Sequence, residues 1–193
     1  MKRVSVFCGA APGTNPQFVL AASRLGELIA EKGMTLIYGG GRVGLMGILA
    51  DATLRAGGEV IGVIPSCLRT EEIAHTGVSE LLVVDTLAER KQKMFELSDS
   101  FISLPGGLGT LDEMFEILTW YQLGFHTFPM GLLNTADFFA KLMDFLDLAA
   151  ENQFLRISHR EAMYLSADPE DLLAKMESAP TQRIPWQAER PAP

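Results

Sequence analysis

The protein has 193 residues, of which 48% are hydrophobic, and this is enough to bury one substantial core without a second domain. Its net charge of −8 argues against general attraction to nucleic acid, because nonspecific binding to that polyanion depends on dense Lys and Arg patches. A local site for one small anion is still compatible with this charge.

The cysteines, histidines and apolar segments indicate a cytoplasmic protein without a metal. Cys8 and Cys67 stand far apart and form no CxxC pair, and the three histidines are scattered. This pattern is typical of a reducing compartment and does not match a structural zinc site. No apolar stretch approaches the ~20 residues of a membrane span, and the N-terminus has too few apolar residues for a signal peptide. We therefore expect no contact with a membrane.

Short apolar runs alternate with helix-length segments along the chain. Strands are predicted at 4–7, 35–38, 59–64, 80–84, 101–104, 129–133 and 163–165. A first helix is predicted after Asn15, which caps it, and a second helix ends at about Ala56. Further helices begin at residues 87, 110, 136 and 169, and a short helix lies near 71–74. This alternation implies parallel strands with right-handed crossovers, and hence an α/β doubly wound sheet. We expect one domain over residues 1–178 and a Pro-rich tail over 179–193.

Residues 104–113 (LPGGLGTLDE) combine a strand end, a glycine turn, a helix N-terminus and a carboxylate. The glycines allow a tight turn and close approach of the backbone to a ligand, and a helix N-terminus attracts an anion such as phosphate. Thr110 and Glu113 also fit a capping box, in which Thr110 caps the helix and Glu113 reaches back to it. Local spacing alone leaves Glu113 open between a helix cap and a functional carboxylate.

A second glycine loop, Gly39-x-Gly41-x-x-Gly44, follows a predicted strand and opens a helix. We interpret it as a phosphate or nucleotide contact, with helix–strand packing as the alternative and a dinucleotide site as the third option. The acidic residue that a dinucleotide site requires would be Glu59, which precedes its strand and does not lie at the strand's end. Neither glycine loop has the Lys and Ser/Thr pair of a P-loop, which disfavours nucleoside-triphosphate hydrolysis.

Arg90 lies on one predicted helical face with Leu87, Met94 and Leu97. An arginine among core-facing positions is seldom unpaired, so Arg90 is expected to meet a carboxylate or a bound anion. A structural salt bridge is the alternative. Lys91 lies off that face and has the pattern of a solvated lysine.

Four motifs in order resemble the LOG (Lonely Guy) family of cytokinin riboside 5′-monophosphate phosphoribohydrolases. They are residues 39–47 (GGGRVGLMG), 89–91 (ERK), 105–113 (PGGLGTLDE) and 119–124 (TWYQLG), and the resemblance spans about residues 3–175. It implies a Rossmann-like homodimer that needs no cofactor and hydrolyses the N-glycosidic bond of a nucleoside 5′-monophosphate. The products would be the free base and ribose 5-phosphate.

The resemblance also assigns roles to individual residues. Arg90 and Glu113 match the family's catalytic pair. The nucleotide contacts that it implies are Glu72, Lys91, Gly106, Gly107, Leu108, Gly109, Thr110, Leu111, Asp112 and Thr119. To these we add the first glycine loop, Gly39, Gly40 and Gly41. Leu108 and Asp112 depart mildly from the family, where an aromatic residue and Glu are common, and this bears on substrate preference.

One other function remains open at this stage, and a second is disfavoured. A related Rossmann-like domain can bind a nucleotide without catalysis, and proteins of this family have carried a lysine-decarboxylase label. That chemistry normally uses a cofactor on a Schiff-base lysine, and no lysine here stands out for the role. The segment from Trp120 to Phe125 is a candidate for the dimer contact, with core packing as the alternative.

Overall fold

The computed structural model describes residues 1–70 and 73–179, and within them seven strands form one parallel sheet. The strands are β1 Arg3–Phe7, β2 Thr35–Tyr38, β3 Glu59–Pro65, β4 Glu80–Val84, β5 Ser100–Ser103, β6 Met130–Leu133 and β7 Met163–Ser166. Their order is β4-β3-β2-β1-β5-β6-β7, and each neighbouring pair is parallel. The predicted doubly wound α/β sheet is confirmed.

Helices cover both faces of this sheet. They are α1 Pro16–Glu31, α2 Gly44–Arg55, α3 Leu87–Glu96, α4 Leu108–Leu123, α5 Ala140–Glu151, α6 Ile157–Glu161 and α7 Pro169–Glu177. Buried side chains of α1, α2 and α7 pack on one face of the sheet, and those of α3 and α4 pack on the other. Alternate residues of β1 point to opposite faces, so that Val4 and Val6 join the first cluster and Phe7 joins the second.

Two helix starts follow directly from local sequence. The side chain of Asn15 accepts a hydrogen bond from the N–H of Gln17 at 3.0 Å, and Pro16 occupies the first position of α1. In α3, the hydroxyl of Thr86 accepts from the N–H of Glu89 at 3.1 Å. The carboxylate of Glu89 in turn accepts from the N–H of Asp85 at 2.9 Å, so both ends of this cap are satisfied.

A local turn delays the start of α5. The helix was predicted from residue 136, but Thr135–Asp137 form a 3₁₀ turn in which Ala136 has φ 53° and Asp137 has φ 56°. A side chain is strained in this left-handed region, and an α-helix cannot pass through it. The side-chain oxygen of Asn134 accepts the N–H of Phe139 at 2.7 Å and supports the turn. The helix therefore begins at Ala140, and the short α6 that follows it was not predicted.

Two other predictions fall partly or wholly outside the described residues. The short helix expected near 71–74 does not include Ile73 or Ala74, since Ala74 instead forms an isolated antiparallel bridge with Gly41. Glu71 and Glu72 lie outside the described residues, as does the predicted tail from residue 180 onward. Over the part of the chain that the structure describes, no helix is long and apolar enough to cross a membrane.

The strand order places a crevice at the carboxyl end of β1 and β5. From β1 the chain proceeds to β2 on one side, whereas from β5 it proceeds to β6 on the other. Loops that diverge in this way leave a gap between them, and such a switch point is where open parallel α/β sheets bind their ligands. Residues 104–113 follow β5 at this edge.

Candidate active site

The N-terminus of α4 opens onto this crevice. The helix begins at Leu108 after Gly107, and no side chain caps it. Its first intrahelical bond joins the N–H of Leu111 to the carbonyl of Gly107 at 3.1 Å. The amide groups of residues 108–110 precede that bond and have no acceptor within the helix, so they are placed to bind an anion.

This geometry excludes the capping box, which was one of the two alternatives for Thr110 and Glu113. In that alternative Thr110 would cap the helix, but Thr110 lies inside the first turn and is buried. Gly107 is the cap residue in an extended conformation, and because it has no side chain the first amides of the helix stay uncapped. The carboxylate of Glu113 therefore makes no capping hydrogen bond at the helix start.

The two glycines of the turn have different reasons to be glycine. A Cβ on Gly106 would clash with the hydroxyl of Thr110 and lie 2.9 Å from the backbone nitrogen of Gly9. That nitrogen also donates to the carbonyl of Pro105 at 3.1 Å, so the end of β1 holds the turn in place. A Cβ on Gly107, by contrast, would meet nothing within 4 Å. Gly107 and Gly109 therefore leave open space on the ligand side.

Arg90 of α3 and Glu113 of α4 form a buried ion pair. Nη1 of Arg90 lies 2.7 Å from Oε1 of Glu113, and the two side chains are only 15% and 8% exposed. Nε of Arg90 also donates to the carbonyl of Val63, at the end of β3, at 3.2 Å. The expectation that Arg90 needs a partner is confirmed, although Leu87, assigned to the same buried face, is exposed.

Burial and charge act in opposite directions on Glu113. Burial raises the pKa of its carboxyl, and the charge and hydrogen bond of Arg90 lower it, with burial prevailing so that the net shift is upward. Cys8, which directly follows β1, interacts electrostatically with the same Arg90–Glu113 pair. Burial raises the pKa of its thiol, the carboxylate of Glu113 raises it further, and Arg90 opposes them. The thiol is therefore neutral and is not a nucleophile.

Lys91 is not the solvated lysine that its position on the helix predicted. Its Nζ lies 3.0 Å from Oδ2 of Asp112 and 3.2 Å from Oε1 of Glu116, and the side chain is 20% exposed. Burial disfavours its charge, but the hydrogen bonds that its ammonium donates to these two carboxylates outweigh that effect and raise the pKa of Lys91. Lys91 and Asp112 thus form a second link between α3 and α4, beside the Arg90–Glu113 pair.

Of the remaining nucleotide contacts that the family resemblance implies, only some lie near the start of α4. Leu108 is highly exposed at the start of α4, and Leu111 is half-buried. Thr119 is exposed, and its hydroxyl donates to the carbonyl of Phe115 at 2.7 Å. Six residues of helix separate Thr119 from Glu113 by about 9 Å and about 120° of rotation. Glu72 lies outside the described residues.

The first glycine loop is explained mainly by packing, with one exception. Gly40 has φ 72°, and a Cβ on Gly44 would clash with the carbonyl of Ala10. The exception is Gly39, where a Cβ would clash with the guanidinium of Arg90. The dinucleotide interpretation gains no support, since Glu59 lies at the start of β3 and accepts from the hydroxyl of Thr35 at 2.7 Å.

A cavity of about 380 Å³ adjoins the glycine turn. It is lined by Gly9, Ala10, Ala11, Pro12, Gly13, Phe18, Leu45, Pro105, Gly106, Gly107 and Phe138. The rings of Phe18 and Phe138 meet edge to face at 5.7 Å in its wall. Sequence reasoning did not single out these phenylalanines, because they belong to α1 and to the segment before α5 and meet only in the folded chain.

Among residues 1–70 and 73–179, no three His, Cys, Asp or Glu side chains lie close enough to hold a metal ion. The start of α4 presents backbone amides without an intrahelical acceptor, and the Arg90–Glu113 pair adds a buried guanidinium and a buried carboxylate on α3 and α4. A parallel sheet with an uncapped helix N-terminus at its switch point defines the class of the protein as Rossmann-like, a class in which such termini bind anions.

Comparison with known proteins identifies the family within that class. The family model described as "Possible lysine decarboxylase" matches residues 46–176. A cytokinin riboside 5′-monophosphate phosphoribohydrolase of Rhodococcoides fascians is 44% identical over 178 residues, covering 92% of this chain and 90% of that protein. A protein of the same name from Arabidopsis thaliana is 40% identical over 176 residues, covering 91% and 83% of the two chains. The chain belongs to the LOG family.

Solved structures agree on the fold. The molybdenum cofactor binding protein of Rippkaea orientalis superposes with a TM-score of 0.68 at 25% identity, over 92% of this chain and 96% of that one. The molybdenum cofactor carrier protein of Chlamydomonas reinhardtii has a TM-score of 0.69 at 22% identity, over 91% and 96%. The second likeness establishes the shared architecture only.

Proposed function

We propose that this protein hydrolyses the N-glycosidic bond of adenosine 5′-monophosphates, including N6-substituted ones, and releases the free base and ribose 5-phosphate. The observation that carries the proposal is the buried Arg90–Glu113 pair beside the uncapped N-terminus of α4. The relatives over most of the chain are named for this reaction on cytokinin riboside 5′-monophosphates.

The 5′-phosphate binds at the start of α4 in this proposal. The amides of residues 108–110 and the positive end of the helix dipole attract it, and Gly106 and Gly107 allow the backbone to come close. Gly109, Thr110, Leu111 and Asp112 continue the same turn. Glu113 follows Leu108 by about 7.5 Å along the helix axis, a distance comparable with the length of a ribose 5-phosphate.

The chemistry takes place at C1′ of the ribose. Water adds to C1′ as the bond to the base nitrogen breaks, and the bonding electron pair leaves with the base, which takes up a proton. The carboxylate of Glu113 stabilises the positive charge that develops on the ribose or orients the attacking water. Arg90 holds that carboxylate in place or binds the ribose hydroxyls, and Lys91 with Asp112 keeps α3 and α4 in register. Glu72 and Gly39–Gly41 complete the proposed contacts.

A decarboxylase is disfavoured by the protonation state of Lys91, which follows Arg90 in sequence. A Schiff-base lysine must be deprotonated to attack, yet the carboxylates of Asp112 and Glu116 raise the pKa of Lys91. A nucleotide-binding module without catalysis is the remaining alternative. It is favoured by the likeness to a protein named for binding a cofactor, at 25% identity over 92% of this chain.

We further propose a cytoplasmic homodimer. The segment predicted as its contact divides in two: Tyr121 is buried in the core and Trp120 packs on Phe95, whereas Leu123 and Phe125 are exposed by 49% and 70%. A second copy covering Leu123 and Phe125 would bury this apolar surface. It would also account for the position of Thr119, which could then contact the partner's nucleotide. Light scattering of the purified protein tests the dimer.

A substrate panel tests the reaction. The protein is incubated with AMP, N6-isopentenyl-AMP, adenosine and ATP, and free base and ribose 5-phosphate are both quantified. We expect each of the two monophosphates to be hydrolysed, with one ribose 5-phosphate formed for each free base. Adenosine should release little base, because it lacks the phosphate. Tight binding of AMP with no release would instead support the binding module.

A further inference from the structure

A short segment, residues 73–77, runs along the first glycine loop, and we call it the strap. The carbonyl of Ile73 accepts from the N–H of Arg42 at 2.8 Å, and the N–H of His75 donates to the carbonyl of Gly40 at 2.9 Å. Between these two bonds, Ala74 forms an antiparallel bridge with Gly41. The strap therefore pairs with the loop through backbone bonds, as a neighbouring strand would.

One side-chain pair fastens the strap to α2. Nε2 of His75 lies 3.1 Å from Oδ1 of Asp51, and the imidazole is 14% exposed. Nδ1 of His75 accepts the N–H of Gly77 at 3.2 Å, which places the ring proton on Nε2, facing Asp51. Asp51 follows Gly44 by two helical turns. The glycine loop is thus held at one end by the start of α2 and along its length by a strap tied to the same helix.

The loop in turn contacts the catalytic pair. Gly39 lies so close to the guanidinium of Arg90 that a Cβ there would clash with it. Arg90 is also bound to the carbonyl of Val63 and to Glu113, so a displacement of the loop would change how the guanidinium meets the carboxylate. Glu72, which the family resemblance assigns to the nucleotide, immediately precedes the strap in sequence.

We propose that Asp51 and His75 are a positioning pair for the hydrolysis, acting through the strap and the glycine loop on Arg90. Neither residue touches the reacting atoms. The proposal rests on the proposed function for its kinetic consequence, but its structural part concerns backbone bonds that can be measured separately. An ion pair with an exposed partner generally adds little to stability, so a purely structural role predicts a small change in melting temperature and unchanged kinetics.

The kinetic test compares His75→Ala, Asp51→Asn and the double variant with the native protein on AMP. We expect kcat to fall by about ten- to a hundredfold in each single variant, because small displacements of catalytic groups are costly. The double variant should be no worse than either single one, since both remove the same link. His75→Gln, whose amide can donate to Asp51 from the position of Nε2, should recover most of the loss.

Lys32→Ala is the matched control. It breaks the pair between Lys32 and Glu177, at 3.0 Å, which also joins distant segments but lies away from the glycine loop. This variant should keep native kcat and KM. Native kcat in both His75→Ala and Asp51→Asn would overturn the proposal, as would a loss of activity that Lys32→Ala shares.

Amide hydrogen exchange separates this proposal from the proposed function. In His75→Ala, the amides of Arg42 and residue 75 should exchange at least about tenfold faster than in the native protein, because opening of the strap exposes them. The amides of the α1–β2 junction should be unchanged. If the native protein releases no base, the proposed function fails, and the exchange result still decides whether Asp51 and His75 hold the strap. Unchanged exchange at both amides would contradict it.

Discussion

Nη1 of Arg90 and Oε1 of Glu113 meet at 2.7 Å although the two residues lie 23 positions apart on different helices. Both side chains are largely removed from solvent, and the guanidinium is held from behind by the carbonyl of Val63. Burying an ion pair costs desolvation that its attraction repays only with good geometry and further hydrogen bonds. We propose that a pair held in this way between α3 and α4 serves the chemistry of the site and not stability alone.

Replacing Arg90 by lysine should not preserve activity. Lysine keeps a positive charge but lacks the planar fork that binds Val63 and Glu113 at the same time. We expect kcat on AMP to fall about a hundredfold or more, which is typical for loss of one oriented electrostatic contact. Lys93→Ala on the same helix removes only an exposed pair with Glu96 and should leave kcat unchanged. Near-native turnover by the Arg90→Lys variant would show that charge alone suffices.

The pH dependence of activity should report the raised pKa of Glu113. Burial raises the pKa of this carboxyl, and the charged form is needed at C1′, so activity should rise with pH through a midpoint above the ordinary value of about 4.3. The relevant measurement is kcat/KM for AMP between pH 4 and 9, because the pH dependence of kcat/KM reports the pKa values of the free enzyme. An acidic limb at or below the ordinary carboxyl value would contradict the assignment.

The contribution of Glu113 to stability should fall as pH rises, whereas activity should rise. A carboxyl whose pKa is raised in the folded state binds its proton more tightly when folded, so its contribution to stability is complete below the unfolded pKa. That contribution is lost as pH rises through the folded pKa. Relative to Glu113→Gln, which does not titrate, the native protein should lose free energy of unfolding over this interval. Urea unfolding of both proteins at a series of pH values measures the difference. Parallel curves would indicate a carboxyl with no raised pKa.

Two alanine substitutions in the glycine turn should separate folding from binding. Gly106→Ala places a Cβ against the Thr110 hydroxyl and the nitrogen of Gly9, and should cost about 1–3 kcal/mol of stability together with activity. Gly107→Ala has open space around its Cβ, so the protein should melt as the native one does. Its KM for AMP should rise, since the new methyl group lies where the phosphate is proposed to approach. An unchanged KM would move the phosphate away from Gly107.

The sequence predicted what local chemistry controls. Apolar runs and turn residues placed the strands, and Asn15 and Thr86 marked helix starts because their side chains bond to amides two or three residues away. The start of α5 was missed because Asn134 holds Ala136 and Asp137 in a conformation that their own sequence does not favour. The start of α4 was placed two residues late, since a Thr resembling a cap proved to be inside the first turn.

The site was predictable in its parts and less so in its assembly. Periodicity showed that Arg90 needed a partner, and the family resemblance indicated Glu113. The helices α3 and α4 lie side by side, and Lys91 of one pairs with Asp112 of the other. This arrangement depends on the order of the strands in the sheet and cannot be predicted from the sequence of either helix alone. The same holds for the cavity that Phe18 and Phe138 help to line and for the strap fastened by His75, because each joins elements that are remote in sequence.

The most direct test of the central claim is the rate of base release from AMP by Glu113→Gln. Glutamine keeps an oxygen that can accept from Arg90 but has no charge, so the variant should remain folded at the assay temperature. Glu116→Gln is the matched control, since it lies one turn away on α4 and pairs with Lys91 at 3.2 Å. We predict that Glu113→Gln loses at least about a hundredfold in kcat while Glu116→Gln stays near native. Near-native base release by a folded Glu113→Gln protein would contradict the account.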